Sequence, residues 1–395
     1  MITGSQTFLN SFLKTLSQSK EVLLVTETPP GTPNGFGVTL ECLFKGGEPE
    51  VIYTDAAFLD HGKRHGYTLA QVPYHFGKKH FVKYIFGKIP EWRNNFSSLW
   101  LRRNSTKGVE ITYAFVYSLS CLRYAYWIAK KKKTRFIAHI ADHGKGFESP
   151  EAISILSKSD PLITISKPMK SFFHSAMKHS DIRVIHNGPE EGCFQVSKDQ
   201  NHQAKKKGRF IITFLGGLFE HLHSDCIEDV IHAVSQLREK YPKVEFHMYG
   251  QRVPETFLDE YLNRDGIVHH GLVLPLEKKF EIMRKADCFI VPSSFNESLN
   301  RYYRFSFPTK LMELLATGKP TLVYGRSDTS TYELMQNHDF DTCICSRSIS
   351  ALVAYFEELL RKAENEIVSI SRQSIIRENF HADCMRARLK NIIKD

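Results

Sequence analysis

The sequence lacks any apolar run long enough to cross a lipid bilayer. A membrane-spanning helix needs roughly 20 consecutive apolar residues, and polar or charged residues interrupt every apolar segment of this chain before that length. The first residues favour an amphipathic helix over 5–19, without the basic start or the cleavage site of a secretory signal peptide. We therefore expect a cytoplasmic protein, with the inner face of the membrane as the alternative location.

Paired cysteines are also missing. The sequence has eight cysteines, and no two of them stand in a C-x-x-C spacing. Scattered thiols are typical of a reduced, cytosolic protein rather than of a disulfide-bonded one. No paired metal-ligand spacing appears either, so we predict no zinc site.

Signatures of nucleic-acid binding are absent, although the chain is basic. It has 53 Lys and Arg against 43 Asp and Glu, a net charge of +10. Such a charge attracts anionic ligands, but without an RNA- or DNA-binding motif we expect no nucleic acid partner. Two basic segments, 76–92 and 130–133, suit either contact with anionic lipid or ordinary solvated surface. An anionic membrane surface is therefore one candidate partner.

Strands and helices alternate along both halves of the chain, which is typical of mostly parallel α/β sheets. With 395 residues, 42% of them hydrophobic, the chain is long enough for two domains. We predict two Rossmann-like doubly wound domains facing a cleft, at 1–194 and 210–375, joined by a polar linker at 195–209. A C-terminal helix at 376–395 is expected to pack back on the first domain, and another helix is predicted over 109–130.

The first domain opens with a buried strand, a glycine-containing loop and an apolar helix. The strand covers Glu21–Thr26, and the loop ends in Asn34, Gly35, Phe36 and Gly37. This order is typical of a Rossmann-type ligand site, and the two glycines let a ligand approach the backbone. The G-x-G-x-x-G pattern of nicotinamide binding is absent. The loop therefore predicts a ligand site, with a tight turn that binds nothing as the alternative.

The stretch 306–320 predicts a loop followed by one helix, which ends at Gly318 and Pro320. Pro308 suits the first turn of that helix, and Ser306 suits its N-terminal cap. Lys310 and Glu313 then lie on one face of the first turn, where a helix N-terminus attracts anions. A lysine there suits a phosphate, and a carboxylate one turn later suits the hydroxyls of a sugar or ribose. The stretch predicts a sugar-nucleotide site, with an ordinary exposed helix pair as the alternative.

Several segments resemble elements of GT-B glycosyltransferases, most closely of glycosyltransferase family four. In the second half they are Phe214–Gly217, His247–Gly250, His270–Gly271, Ala286–Ser293 and Phe307–Pro320, and in the first half Thr164–Ser166 and Ile185–Gly188. The resemblance implies a GT-B fold and transfer of a sugar from a nucleotide-diphosphate sugar to a hydroxyl acceptor. It also implies that no metal and no cofactor is required beyond the nucleotide sugar, which is a co-substrate.

The resemblance assigns residues to the donor. Glu313 looks like the second glutamate of the family's Glu-(seven residues)-Glu motif, which holds the ribose, whereas the first position carries Phe305. The family's two cations near the first turn correspond to Gly217 and His223, so Lys310 is expected to carry more of the phosphate interaction. The implied donor-binding set is Gly216, Gly217, Tyr249, Gly250, Asn296, Ser306, Pro308, Thr309, Lys310 and Glu313.

Candidate catalytic residues also follow from the resemblance. His139, Asp142 and His143 fall where the family places polar residues of the catalytic cleft, and Glu297 is the glutamate nearest upstream of the missing first one. A histidine or a carboxylate can accept the proton of the acceptor hydroxyl. The loop Asn34–Gly37 is the candidate acceptor site. For each of these residues, a purely structural side chain is the alternative.

We predict a glycosyltransferase of the hexosyltransferase class, retaining and metal-independent, that works in polysaccharide or glycolipid synthesis. Its expected partners are a nucleotide sugar and a glycan or lipid-linked acceptor. Two alternatives keep the fold and change the chemistry. One is a nucleotide-sugar epimerase or hydrolase, and the other is a non-catalytic sugar-nucleotide-binding protein, which the missing first glutamate favours.

Overall fold

The computed structural model describes residues 22–32, 34–47, 49–55, 57, 59–69, 108–143, 146–177, 181–196, 209–253, 260–262, 264–273, 276–338, 340, 343–362 and 370–395. They form two compact units: the first runs up to Ile185 and includes Arg386–Asp395, and the second comprises His186–Met385. The second unit thus begins upstream of the predicted limit at 194. The predicted helix over 5–19, the basic segment 76–92 and most of the predicted linker lie outside the described residues.

The first unit is built on a parallel sheet of seven strands. These are β1 Val22–Thr26, β2 Glu50–Tyr53, β3 Thr68–Leu69, β4 Ile111–Val116, β5 Arg135–Ile140, β6 Leu162–Thr164 and β7 Ile182–Val184. The described helices are α1 Gly35–Phe44, α2 Leu59–Arg64, α3 Leu119–Lys132, α4 Pro150–Leu156 and α5 Lys167–Met177. The strand order is β3-β2-β1-β4-β5-β6-β7. From β1 the chain adds β2 and β3 on one side, and it then crosses over to add β4 and the later strands on the other side. Doubly wound sheets bind ligands at such a switch point, which here lies between β1 and β4.

The segment predicted as one helix over 109–130 is a strand followed by a helix, so that prediction is wrong. All six residues of β4 are buried, and β-branched and aromatic side chains suit a parallel strand that is covered on both faces. Helix α3 begins only at Leu119, after Ser118, whose Oγ accepts a hydrogen bond from Cys121 N (3.3 Å). The lysine run 130–133 lies at the C-terminal end of this helix, as predicted.

The second unit has a parallel sheet of six strands in the order β12-β10-β8-β13-β14-β15, and β9 pairs with β11. The strands are β8 Phe210–Leu215, β9 Leu218–Phe219, β10 Val244–Tyr249, β11 Arg252–Val253, β12 Ile267–His269, β13 Cys288–Ser293, β14 Thr321–Gly325 and β15 Cys343–Ile344. The helices are α6 Glu191–Gln195, α7 Glu220–Lys240, α8 Leu276–Lys285, α9 Asn300–Phe305, α10 Leu311–Ala316, α11 Ser330–Asn337, α12 Ile349–Lys362 and α13 Ile370–Phe380. Helix α14, Ala382–Lys394, begins in this unit and belongs to the first unit from Arg386 onward. The core of the second unit includes Ile212, Ile231, Phe246 and Phe356.

The helix of the stretch 306–320 begins later than predicted. Pro308–Lys310 form a turn in which Leu311 N donates to Pro308 O (3.1 Å), and α10 starts at Leu311. The predicted cap by Ser306 is wrong, because Ser306 ends the preceding helix and donates its N–H to Tyr302 O (2.9 Å). The strand predicted after Pro320 is β14.

The C-terminal end of α14 packs on the first unit. Arg386 Nη1 donates to Cys42 O (3.0 Å), and Arg135 Nη1 donates to Ile393 O (3.1 Å). Among the described residues, no helix has the length and apolar character of a membrane span. The same residues contain no group of three His, Cys, Asp or Glu side chains placed to hold a metal ion.

Candidate functional site

Backbone contacts hold the loop after β1 in a compact turn. Gly37 N donates to Asn34 Oδ1 (2.9 Å), and Gly31 N donates to Gly37 O (3.0 Å). A Cβ added at Gly37 would lie 2.5 Å from Thr32 O, so this position requires glycine. The four predicted acceptor residues, Asn34–Gly37, therefore lie together beyond the carboxyl end of β1, and Asn34 and Gly37 shape the turn.

An aromatic pair joins this loop to the end of β4. The ring of Phe36 stacks on that of Tyr117, with centroids 4.4 Å apart. The Tyr117 hydroxyl lies 3.2 Å from Thr28 Oγ1. The pair stands where the strand order reverses, so the loop occupies the usual ligand position of a doubly wound sheet.

A buried carboxyl, Glu27, lies at the same edge and escaped sequence reasoning. It accepts hydrogen bonds from Ser118 N (2.7 Å) and Tyr117 N (3.2 Å). Burial raises the pKa of Glu27 to about 7, against the opposing effect of these hydrogen bonds. A carboxyl group with such a pKa can hold or release a proton near neutral pH. The only sequence signal was a glutamate placed directly after a buried strand.

His139, a predicted catalytic residue, lies inside the core of the first unit. It is 1% exposed, and its Nδ1 is 2.7 Å from the Tyr113 hydroxyl. Its ring meets that of Phe115 edge-on at 4.8 Å. Burial lowers the pKa of His139 to about 3, so the imidazole is neutral at physiological pH. This placement suits the structural alternative for His139.

Asp142 and His143, the other two predicted catalytic residues of this unit, lie together in the loop after β5. Asp142 Oδ1 accepts a hydrogen bond from His143 N (2.8 Å). His143 Nε2 lies 3.2 Å from Glu148 Oε1, and the imidazole packs edge-on against Phe172 at 5.7 Å. The imidazole is thus paired with the carboxylate of Glu148, whereas the Asp142 carboxylate bonds the backbone of the loop. Carboxylate and imidazole groups are both chemically able to accept a proton.

Glycine residues allow the turns after β8 and β10 to lie in close contact. Gly216 N donates to Tyr249 O, and Gly250 N donates to Gly271 O, both at 2.9 Å. A Cβ added at Gly250 would lie 1.7 Å from Gly216 O, and the residue has φ +154°. Four predicted donor residues, Gly216, Gly217, Tyr249 and Gly250, are thus brought together at the carboxyl edge of the second sheet.

One carboxylate ties the loop after β13 to helix α7. Asp225 Oδ2 accepts hydrogen bonds from Ser294 Oγ (2.9 Å) and from Phe295 N (2.7 Å). Asn296 then caps the short 3-10 helix Glu297–Leu299. Asn296 and Glu297 are both exposed, so the Glu297 carboxylate is open to a ligand at this edge.

Lys310 and Glu313 form a cluster with a third residue, Lys279, that sequence reasoning missed. Lys279 Nζ lies 2.7 Å from Glu313 Oε1, and the two side chains are 15% and 16% exposed. Burial lowers the pKa of Lys310, an effect that Glu313 opposes and Lys279 reinforces. Lys279 thus pairs directly with Glu313, and Lys310 interacts with both of them electrostatically. A half-buried group of two lysines and one carboxylate suits an anionic ligand. Lys279 stands among other charges of α8, and no spacing singles it out.

The remaining predicted donor residues are half-buried in the turn before α10, namely Ser306, Pro308 and Thr309. Phe305 stands at the position of the family's first glutamate and is 4% exposed. It packs in the core and offers nothing to a ribose. His223, at a family cation position, is half-buried, with its ring 5.8 Å from that of Phe214.

Known proteins resemble this chain in part of its sequence and in its fold. Residues 209–362 match the family model described as Glycosyl transferases group 1. No curated protein is significantly similar to the chain in sequence. The matching residues lie within the second unit and are similar to the group 1 glycosyl transferases, the family that the motifs predicted.

Solved structures share the fold over almost the whole chain at low sequence identity. Anabaena HepE in complex with UDP is 13% identical, with a TM-score of 0.64 over 95% of this chain and 99% of that one. Sucrose-phosphate synthase from Thermosynechococcus elongatus is 14% identical, with a TM-score of 0.66 over 94% and 98%. A UDP-forming trehalose-phosphate synthase from Burkholderia xenovorans, in complex with glucose-6-phosphate, is 11% identical, with a TM-score of 0.62 over 95% and 100%. The predicted two-domain α/β fold of the GT-B class is confirmed.

Proposed function

We propose that this protein transfers a hexose from a nucleoside-diphosphate sugar to a hydroxyl group of an acceptor. The observation that carries the proposal is the cluster of Lys279, Lys310 and Glu313 within the region that matches the glycosyl transferase family. Similar folds that bind UDP, UDP-glucose or glucose-6-phosphate support the same substrate class.

In the proposed reaction, the acceptor oxygen bonds to the anomeric carbon while the bond from that carbon to the diphosphate breaks. The nucleoside diphosphate leaves with the bonding electrons, and Lys310 and Lys279 offset its developing negative charge. We propose that these two cations take the place of a metal ion. Retention of configuration needs no strong protein base, because the departing phosphate can take the hydroxyl proton.

We place the acceptor at the edge of the first unit. The loop Asn34–Gly37 offers backbone groups beside the stacked ring of Phe36, and the pair Asp142 and His143 offers proton acceptors. A glycan or a lipid-linked sugar is the proposed acceptor class, in polysaccharide or glycolipid synthesis. The net charge of +10 supports work at an anionic membrane face. Charge-dependent binding to anionic vesicles, absent with neutral vesicles, is the expected result if this location is right.

The proposed binding of a nucleotide-sugar donor is tested by measuring ligand binding to the full chain. A panel of nucleotide sugars and nucleoside diphosphates is screened by thermal unfolding, where ligand at a hundredfold excess over its Kd adds about 2.7 kcal/mol of stability. Lys310→Ala and Lys279→Ala should each weaken the best ligand about tenfold or more, since a charged hydrogen bond contributes about 1.5–3 kcal/mol. Lys278→Ala, an exposed neighbour on α8, is the matched control and should bind like the wild type. If no donor shifts the unfolding transition, the proposal is wrong.

A non-catalytic donor-binding protein is the second candidate, and Phe305 in the core at the place of the family's first glutamate favours it. Release of nucleoside diphosphate distinguishes the cases. Release that depends on an added acceptor indicates transfer, whereas release without acceptor indicates a hydrolase. Tight binding of the nucleotide sugar, with no release of nucleoside diphosphate in the presence or absence of acceptor, indicates a non-catalytic binding protein.

A further inference from the structure

Four side chains form a continuous hydrogen-bonded chain on one face of the second sheet. The guanidinium of Arg209 binds both oxygens of Glu245, at 3.1 and 2.6 Å. Glu245 Oε2 lies 2.7 Å from His247 Nε2, and His247 Nδ1 lies 3.2 Å from His270 Nε2. Residues 245 and 247 alternate along β10, so both side chains point to the same face. The chain runs from the start of β8 to the carboxyl edge of the sheet.

This chain determines which ring nitrogen of each histidine carries the proton. Arg209 keeps Glu245 ionised, and an ionised carboxylate only accepts hydrogen bonds. His247 therefore donates from Nε2, which leaves its Nδ1 as an acceptor when the ring is neutral. That nitrogen lies 3.2 Å from His270 Nε2 and 3.4 Å from the Tyr249 hydroxyl. With His270 donating from Nε2 in the shorter of these two contacts, its own Nδ1 becomes an acceptor. Within the described part of the chain, no residue donates to His270 Nδ1.

The His270 ring is also held flat at the edge. It stacks on Tyr249 with centroids 4.3 Å apart and an angle of 6° between the planes, and His270 is exposed. Partial desolvation, reinforced by His247, His269 and Lys285, lowers the pKa of His270. Tyr249 directly precedes Gly250, where the two glycine turns meet. A planar ring with one oriented acceptor thus stands among the proposed donor-binding residues.

We propose that His270 determines which base the nucleotide donor carries, by accepting a hydrogen bond from a ring N–H of the base. The inference rests on the proposed function and deepens it. Uracil and guanine carry a ring N–H at the edge used for pairing, whereas cytosine and adenine carry a lone pair at the equivalent nitrogen. The site is expected to prefer the N–H member of each pair, because the other places two acceptors opposite each other. Arg209, Glu245 and His247 act through His270 as positioning residues.

The test is the affinity ratio within each pair, UDP over CDP and GDP over ADP, measured by titration calorimetry. The wild type should prefer the N–H base, and His270→Ala should lower the ratio about tenfold, the size of effect expected from the loss of one hydrogen bond. His174→Ala, an exposed histidine of the first unit, is the control and should keep the wild-type ratio. Failure of all four nucleotides to bind the wild type contradicts the proposed function. Binding with the same ratio in wild type and His270→Ala contradicts only this inference.

The tautomers of His247 and His270 provide a separate test of the hydrogen-bonded chain. Nitrogen-15 NMR of the ring nitrogens should show His247 and His270 protonated at Nε2 in the wild type. Glu245→Ala should shift His247 towards the other tautomer and lower the base ratio, with affinity for inorganic pyrophosphate unchanged. Glu239→Ala, an exposed carboxylate on α7, should change neither. An Nδ1-protonated His270 in the folded wild type would overturn the assignment.

Discussion

The carboxyl edges of the two sheets are built on the same plan but carry opposite chemistry. The first edge holds a buried carboxyl, Glu27, and the pair Asp142 and His143. The second holds two lysine ammonium groups around Glu313. Repeated strand–loop–helix units set where the edge lies, and the loop and helix residues decide which charged groups stand there. The comparison therefore predicts different consequences of substitution at the two edges.

The largest expected effect is on the glycine turn of the second edge. Gly250→Ala forces a Cβ to within 1.7 Å of Gly216 O, and we expect a loss of more than about 4 kcal/mol in the free energy of unfolding. Gly271→Ala is the matched control. It also has a positive φ, +73°, but nothing lies within 4 Å of its added Cβ, so only about 1–2 kcal/mol of backbone strain is expected. Urea unfolding measures both, and equal losses would show that the close approach is not the cause.

The next effect concerns the buried carboxyl of the first edge. The folded-state pKa of Glu27 is raised from 4.5 to about 7, so the folded protein holds this proton more tightly than the unfolded chain does. Its contribution is complete below pH 4.5 and is lost as the pH rises through 7. The free energy of unfolding of the wild type relative to Glu27→Gln should fall by about 3 kcal/mol between pH 4 and 8. Glu239→Gln is the control, and a difference that does not change with pH would mean that Glu27 is not protonated in the fold.

A smaller effect is expected for the pairing of Lys279 with Glu313. We predict a coupling energy of about 1–2 kcal/mol in a double-mutant cycle of Lys279→Met and Glu313→Gln, because both side chains are mostly buried. The readout is the free energy of unfolding without ligand. Repeating the cycle with a bound nucleoside diphosphate should lower the coupling, since the ligand competes for Lys279. A coupling that does not respond to the ligand would argue that the pair is only structural.

The smallest effect is on the cap of α1. Asn34→Ala removes the hydrogen bond to Gly37 N and should cost about 1 kcal/mol of stability. Asn34→Ser retains a capping oxygen and should recover most of the loss. If Asn34 also binds the acceptor, Asn34→Ser will raise the KM for the acceptor with kcat unchanged. Full recovery of both stability and KM would limit Asn34 to the turn.

Much of this architecture could be predicted from local pattern. Apolar runs bounded by glycine and proline placed β1, β8, β13 and β14, and the segment around Lys310 indicated the family. The prediction was wrong at 109–130, where a strand and a helix follow each other without a glycine or proline between them. The run Ile111–Val116 is compatible with helix or strand until its neighbours are known. The prediction was also wrong at Ser306, where the preceding helix α9 already uses the backbone that the expected cap required.

Local sequence patterns were sufficient to predict the two-domain α/β fold and the resemblance to glycosyltransferases, and they pointed to Lys310 and Glu313 as candidate donor-binding residues. These features depend on residues close together in the chain. Three features could be read only from the folded chain: His139 is a core residue, Glu27 is a buried acid, and Lys279 pairs with Glu313. The reason is physical: burial, ion pairing and a histidine's tautomer depend on groups that lie far apart in the chain and meet only when the strands are assembled side by side.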